Sequence, residues 1–268
     1  MPSVNVSGAN VVYEVDGSGS NMVLVSGTGG NLHSNWDHLM PRFTETRRVV
    51  RVDYSGSGQT TDAGATLSVE MLAQQVVAAA QAADAEPFDL VGYSLGTCIS
   101  IYIAARYPEF VRSLVLLAGF SNGTDTRSRL QAGLWLDLIE RDPKLFAKMI
   151  VLDGMSPKRV AAMDDVQIGA WIDAICNNND WRGISRQIDL DRRVDVTDML
   201  DEIQAPTLVI GCKHDHVIPV EHARSLASAI RGAQYVELDA GHLAPFEQPE
   251  AFGDLVLDFV SRTAIRAR

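Results

Sequence analysis

Cysteine is scarce in this sequence: Cys98, Cys176 and Cys212 are the only three in 268 residues, and no two form a CxxC pair. An odd count without paired spacing argues against a disulfide framework and against a cysteine-held zinc ion, and it fits a reducing, cytoplasmic compartment. Basic residues are outnumbered as well. Lys and Arg total 23 against 34 Asp and Glu, a formal charge of −11. No stretch carries the positive footprint that a phosphate backbone requires, so no nucleic-acid partner is expected. No run approaches 18 uninterrupted apolar residues, so no membrane partner is expected either. Residues Met1 to Ser20 lack the basic region and apolar run of a secretory signal. Gly-Lys pairs are missing, which removes the P-loop. Gly27-x-Gly29 starts a dinucleotide-like pattern, but Leu32 stands where its third glycine belongs.

What is present is an ordinary globular composition, 46% hydrophobic, on a chain long enough to bury a core without staples. Length alone allows one α/β domain or two. Val4–Val6 and Val11–Val15 alternate apolar and polar residues, as an antiparallel hairpin does. Short β-rich runs recur at Met22–Val25, Arg48–Val52, Asp89–Tyr93, Ser113–Leu117, Thr207–Ile210 and Tyr235–Leu238. Their consecutive apolar residues predict strands covered on both faces. Helical spacing lies between them, from Ser68 to Ala79, over Leu95–Arg106, over Glu221–Ile230 and over Pro249–Arg262. Strand–helix alternation predicts an α/β fold: a mostly parallel, eight-stranded sheet with helices on both faces. One interval, 120–204, breaks the rhythm. It holds helical stretches, Trp135, Trp171 and Trp181, but no convincing strand. Because strands flank it, the expectation is a core of 1–119 and 205–268 with 120–204 inserted as a helical cap.

The sharpest motif is Gly92-Tyr93-Ser94-Leu95-Gly96. It joins a buried strand to a helix, the setting in which a G-x-S-x-G turn presents a serine as a nucleophile. A hydroxyl needs a base, and the base needs an orienting acid. His242, in Asp239-Ala240-Gly241-His242-Leu243, follows the last strand, and Asp215 follows Thr207–Ile210. Ser94, Asp215 and His242 thus occur in the order nucleophile, acid, base. Cys98, one helical turn beyond Ser94, is read as packing. Cys212 lies among acidic residues, which disfavours a thiolate.

On these motifs the chain resembles the α/β-hydrolase superfamily from its first hairpin to its last helix. Gly211-Cys212-Lys213-His214-Asp215 resembles the acid loop of that family, and Gly241-His242-Leu243-Ala244-Pro245 with Glu247 resembles its histidine loop. Asp53-Tyr54-Ser55-Gly56-Ser57-Gly58 resembles its structural D-x-x-G-x-G turn. The subgroup it is most similar to is the small capped hydrolases: enol-lactonases, haloperoxidase-like esterases and polyketide methylesterases. The resemblance implies a serine hydrolase of carboxylic esters, lactones or thioesters, with no metal or organic cofactor. It also implies an oxyanion hole from the backbone N–H groups of Leu95 and Thr28. Here Ser26-Gly27 stands where His-Gly is common.

The cap tryptophans Trp135, Trp171 and Trp181 are candidates for the substrate pocket, favouring an apolar small-molecule substrate. A carrier-protein partner is disfavoured by the acidic charge, although arginines gather between Arg182 and Arg193. The same fold also hosts C–C hydrolases, perhydrolases, lyases and ligand-binding proteins.

Overall fold

The computed structural model describes residues 1–177 and 179–266. The eight apolar runs form eight strands. They are β1 (Ser3–Val6), β2 (Ala9–Gly17), β3 (Ser20–Val25), β4 (Arg47–Asp53), β5 (Phe88–Tyr93), β6 (Val111–Leu117), β7 (Thr207–Cys212) and β8 (Gln234–Leu238). One sheet holds them all, in the order β1-β2-β4-β3-β5-β6-β7-β8. β2 runs antiparallel to β1 and β4, and every pairing from β4 to β8 is parallel. Every residue of β5 and of β7 is buried, which accounts for their unbroken apolar composition.

The helices, in chain order, are α1 (Met40–Phe43), α2 (Val69–Ala82), α3 (Leu95–Arg106), α4 (Thr126–Arg141), α5 (Pro143–Gly154), α6 (Pro157–Ala162), α7 (Asp165–Asn177), α8 (Trp181–Asp191), α9 (Val220–Ala229), α10 (Ala244–Glu247) and α11 (Pro249–Arg266). Val76 of α2, Ile99 of α3 and Leu226 of α9 share one cluster with one face of the sheet. Phe43 of α1 and Phe252 and Phe259 of α11 share another with the opposite face. Ser68, counted within the helical spacing of the sequence, is instead the cap of α2, accepting from the Met71 N–H.

Between β6 and β7 come α4 to α8 and a 3-10 turn, Thr197–Glu202, with no strand among the described residues. Trp135, Ile139, Phe146, Ile184 and Ile188 form one apolar cluster there. Val151, Met155, Met163 and Ile172 form a second. The end of the expected 120–204 insertion behaves differently: Leu190, Val194, Val196 and Leu200 pack into the cluster beneath the sheet. Among the described residues no helix is long and apolar enough to cross a membrane.

Candidate active site

The C-terminal ends of β5, β7 and β8 converge on one point. β5 ends at Tyr93 and α3 begins at Leu95, so Ser94 alone makes the turn, at φ +54° and ψ −121°. That conformation is costly for a side chain with a Cβ. Close approach on both sides of the turn enforces it. A Cβ on Gly92 would lie 2.5 Å from the Gly96 carbonyl oxygen, and one on Gly96 would lie 2.3 Å from the Val25 carbonyl oxygen. The two glycines are therefore what allow α3, β5 and the end of β3 to touch.

His242 Nε2 lies 3.1 Å from Ser94 Oγ, and His242 Nδ1 lies 2.7 Å from Asp215 Oδ2. All three residues are buried. Asp215 Oδ1 accepts the N–H groups of Val217 (2.9 Å) and Ile218 (2.7 Å), which fixes the carboxyl plane. The Tyr93 hydroxyl donates to the His242 carbonyl at 3.0 Å. Glu247 secures the same loop: its Oε1 accepts from the Gly241 and Ser156 N–H groups, and its Oε2 accepts from the Ser156 hydroxyl. A serine, an imidazole and a carboxylate in this order and at these distances can move a proton off the hydroxyl while holding one imidazole tautomer.

The loop after β3 passes directly over Ser94, where a Cβ on Gly27 would lie 2.8 Å from the serine Cβ. The Gly27 N–H donates to Asn35 Oδ1 (3.3 Å) and the Gly29 N–H to Gln187 Oε1 (2.9 Å). Among the described residues neither Thr28 N–H nor Leu95 N–H, the first of α3, has an acceptor. Ser26 anchors the loop without an imidazole, its hydroxyl accepting from Trp36 Nε1–H (2.9 Å) and donating to the Asn31 carbonyl (3.2 Å). The Asp53 carboxyl accepts from Leu32 N–H and Gln59 N–H, tying this loop to the turn after β4.

Above Ser94 opens a cavity of about 310 Å³ whose lining includes Thr28, Ser94 and His242. Its wall is largely apolar, with Phe120, Trp135, Phe146, Ile150, Ile184 and Leu243. Among the described residues no Lys or Arg lines it, and Asp191 is its single carboxylate. Burial pushes the Asp191 carboxyl up to about 7. Burial also holds His222, another wall residue, below its ordinary value.

Residues 22–255 match the Alpha/beta hydrolase family. The chain belongs to that family. This α/β-hydrolase is 47% identical over 260 residues to pyrrolizixenacetamide deacetylase of Xenorhabdus hominickii, covering 97% of this chain and 98% of that protein. It is 31% identical over 241 residues to a pimeloyl-(acyl-carrier protein) methyl ester esterase of Neisseria meningitidis serogroup B, covering 88% of this chain and 91% of the other. The enol-lactonase of Burkholderia xenovorans LB400 has the same fold: its crystal structure aligns with a TM-score of 0.87 at 23% identity, over 97% of this chain and all (100%) of that one. The relatives are hydrolases, and this chain is a hydrolase of the same type.

In the α/β-hydrolase, Trp135 and Trp171 stand on the cavity wall. Trp181 does not: its ring packs edge-on against Phe146, centroids 5.9 Å apart, outside the lining. It opens α8, and its ring contributes to the helical cluster instead. Cys98 and Cys212 are buried and their thiols held well above the ordinary range by that burial, which disfavours a thiolate at either. Sequence reasoning missed Phe146, Asp191 and His222 on the wall, and nothing in their local patterns marks them.

Proposed function

We propose that this α/β-hydrolase is a serine hydrolase that cleaves a carboxylic ester, lactone or thioester of a small, largely apolar molecule through an acyl-enzyme on Ser94. The observation that carries this reading is the Asp215–His242–Ser94 relay opening onto an apolar cavity. In the first half-reaction His242 Nε2 takes the Ser94 proton as Oγ attacks the substrate carbonyl. The tetrahedral intermediate places its oxyanion toward the free N–H groups of Thr28 and Leu95, each such donor being worth about 2.7–4 kcal/mol of barrier. Collapse breaks the bond to the leaving alcohol or thiol, which takes the proton from His242. A water then repeats the sequence and releases the acid, regenerating Ser94. Asp215 keeps the proton on His242 Nδ1 and balances the imidazolium.

The wall narrows the substrate. Without Lys or Arg, and with a carboxyl at Asp191, the cavity offers an anionic substrate no counter-charge. An uncharged substrate fits it best, selected by Trp135, Trp171 and Phe146 from the inserted helices acting as a cap. A carrier protein would find little free positive charge: Arg186 is paired with Asp62, and Arg192 and Arg193 are both paired with Asp189. Three free thiols are consistent with a reducing, cytoplasmic setting. The 47% relative, named for removing acetyl from an acetamide, supports a second reading: the scissile bond is an amide, with the amine protonated by His242 as it leaves.

A fluorophosphonate probe tests the nucleophile. The wild-type chain is expected to label stoichiometrically and Ser94→Ala not at all; labelling that survives the substitution sinks the assignment. Matched acetate ester, lactone, thioester and acetamide on one apolar ring scaffold then separate the bond types. No turnover alongside tight saturable binding would overturn catalysis in favour of a binding protein. Turnover requiring peroxide or an aldehyde would move the chain to a different chemistry.

A further inference from the structure

The helix α8 lies against the core through an unusually close contact. A Cβ on Gly183 would fall 2.4 Å from the Gly56 carbonyl oxygen, so the helix backbone rests directly on the turn after β4. One turn further along α8, Gln187 is completely buried. Both ends of its amide are used: Nε2 donates to the Ser57 hydroxyl at 2.8 Å, and Oε1 accepts the Gly29 N–H at 2.9 Å. Four residues beyond Gln187, Asp191 Oδ2 accepts the Thr28 hydroxyl at 2.7 Å. Spacing of i, i+4 puts both side chains on one helical face, and that face meets the loop carrying the Thr28 N–H.

The loop is held from two directions. Ser26 and Gly27 are tied to the core side: the Tyr54 hydroxyl donates to the Ser26 carbonyl (2.9 Å), and Gly27 N–H donates to Asn35 Oδ1. Thr28 and Gly29 are tied to α8 alone among the side chains that reach them. Of three consecutive N–H groups, the outer two are occupied and only the middle one is free. The peptide joining Thr28 to the occupied Gly29 is thus set by Gln187, and the Thr28 side chain by Asp191. A donor aimed at a developing charge loses most of its worth when displaced by about an ångström, so the two α8 residues control a quantity that matters for rate.

We propose that Gln187 and Asp191 are positioning residues: the last inserted helix, through these two side chains, aims the Thr28 N–H at the reacting carbonyl oxygen. The inference rests on the acyl-enzyme reading above. The role requires neither residue to exchange a proton or form a bond with substrate. Their effect passes through Gly29 and Thr28, so their loss lowers the rate of the Ser94 step more than it lowers affinity for the ground state.

The test measures the second-order rate of fluorophosphonate labelling at Ser94, kcat and KM with a p-nitrophenyl ester, and inhibition by a trifluoromethyl ketone whose adduct carries an oxyanion. Gln187→Met keeps the side-chain length and removes both hydrogen bonds. It is expected to slow labelling and kcat by about 10- to 100-fold, to leave KM within about threefold, and to weaken the ketone by the same factor as kcat/KM. Thr28→Val and Asp191→Leu each cut the second tie and are expected to slow labelling by about tenfold. Combining them adds nothing further if Asp191 acts through the Thr28 hydroxyl. Asp191→Asn keeps an acceptor for that hydroxyl and restores most of the rate.

Wild-type-like labelling and inhibition in Gln187→Met would overturn the proposal, as would a loss confined to KM or additive losses in the double variant. Should Gln187→Met fail to fold by circular dichroism, the Thr28 and Asp191 variants decide the matter by the same readouts. Failure of the underlying reading looks different: the wild-type chain itself would then not label at Ser94.

Discussion

Asp215 shows how much can rest on two oxygens of one side chain. Oδ1 is committed to two backbone donors, Val217 and Ile218, and Oδ2 faces His242 Nδ1. In Asp215→Asn the amide oxygen stays with those two N–H groups, because an NH2 there would meet two donors. The NH2 therefore faces Nδ1, forcing the imidazole proton onto Nε2, where it points at Ser94 and cannot accept from it. Ester hydrolysis is expected to fall by about 10⁴ in kcat, with a melting temperature within a few degrees of wild type. A thermal melt with steady-state kinetics checks both, and a variant retaining a tenth of the activity would contradict the orientation argument. Ser94, Asp215 and His242 were legible in the sequence because each leaves the C-terminal end of a recognisable strand. Asp191 was not. It is one of two acids on α8, and only folding brings it against Thr28 and removes its water.

At the scale of elements, burial divides the helices sharply. Nine of the twelve residues of α3 are buried, whereas of α7, thirteen residues long, only Ile172 is. Contacts of α7 run chiefly to α5 within the inserted segment, through the cluster around Val151, Met155 and Ile172. An element with so little buried apolar surface opens without dragging the sheet with it. Hydrogen exchange is expected to show α7 amides exchanging by local opening, at rates insensitive to low denaturant, while β5 amides exchange only on global unfolding. Protection of α7 equal to that of β5 would contradict this. The strands and α3 were readable from apolar runs and from the serine turn. By contrast, α1 has four residues, too few to show a period. In α8, by comparison, Trp181, Ile184 and Ile188 recur at i, i+3 and i+7 among Arg182, Arg186, Asp189 and Asp191, a helical period that was legible in the sequence. Its role in holding the Thr28 loop depends on Gly183 meeting Gly56 across the fold, a contact no local pattern encodes.

For the whole molecule, acidity has a measurable consequence through one buried group. The Asp191 carboxyl has an ordinary value of 3.8 and is pushed up to about 7 by burial in the folded state. Between these values the folded chain holds a proton that the unfolded chain has released, so stability from this group falls as pH rises from about 4 to about 7 and then levels off. The full effect is of the order of 4 kcal/mol. Asp191→Asn removes the titration while keeping the shape, so its stability relative to wild type should increase between pH 5 and pH 8 in urea unfolding. A difference that stays flat across that range would contradict the assignment. A single sheet carries apolar clusters on both of its faces, and α4 to α8 stand between β6 and β7. The lack of strand patterning between β6 and β7 was legible in the sequence, but the return of Leu190 to Leu200 into the main cluster follows from three-dimensional packing alone.

Ser94 and His242 stand 148 residues apart in the chain. A ribosome delivers the polypeptide from its N-terminus, and the elbow of β5 and α3 emerges with its neighbouring strands long before β8 and the loop that follows it. Until β8 docks beside β7, His242 is not held beside Ser94, and on the serine-hydrolase reading proposed above the hydroxyl then lacks its base. On that reading, nascent chains stalled upstream of the histidine loop, and fragments cut there, are expected to leave esters intact. If the reading holds, the order of strands along the chain makes completion of the sheet a precondition for activity.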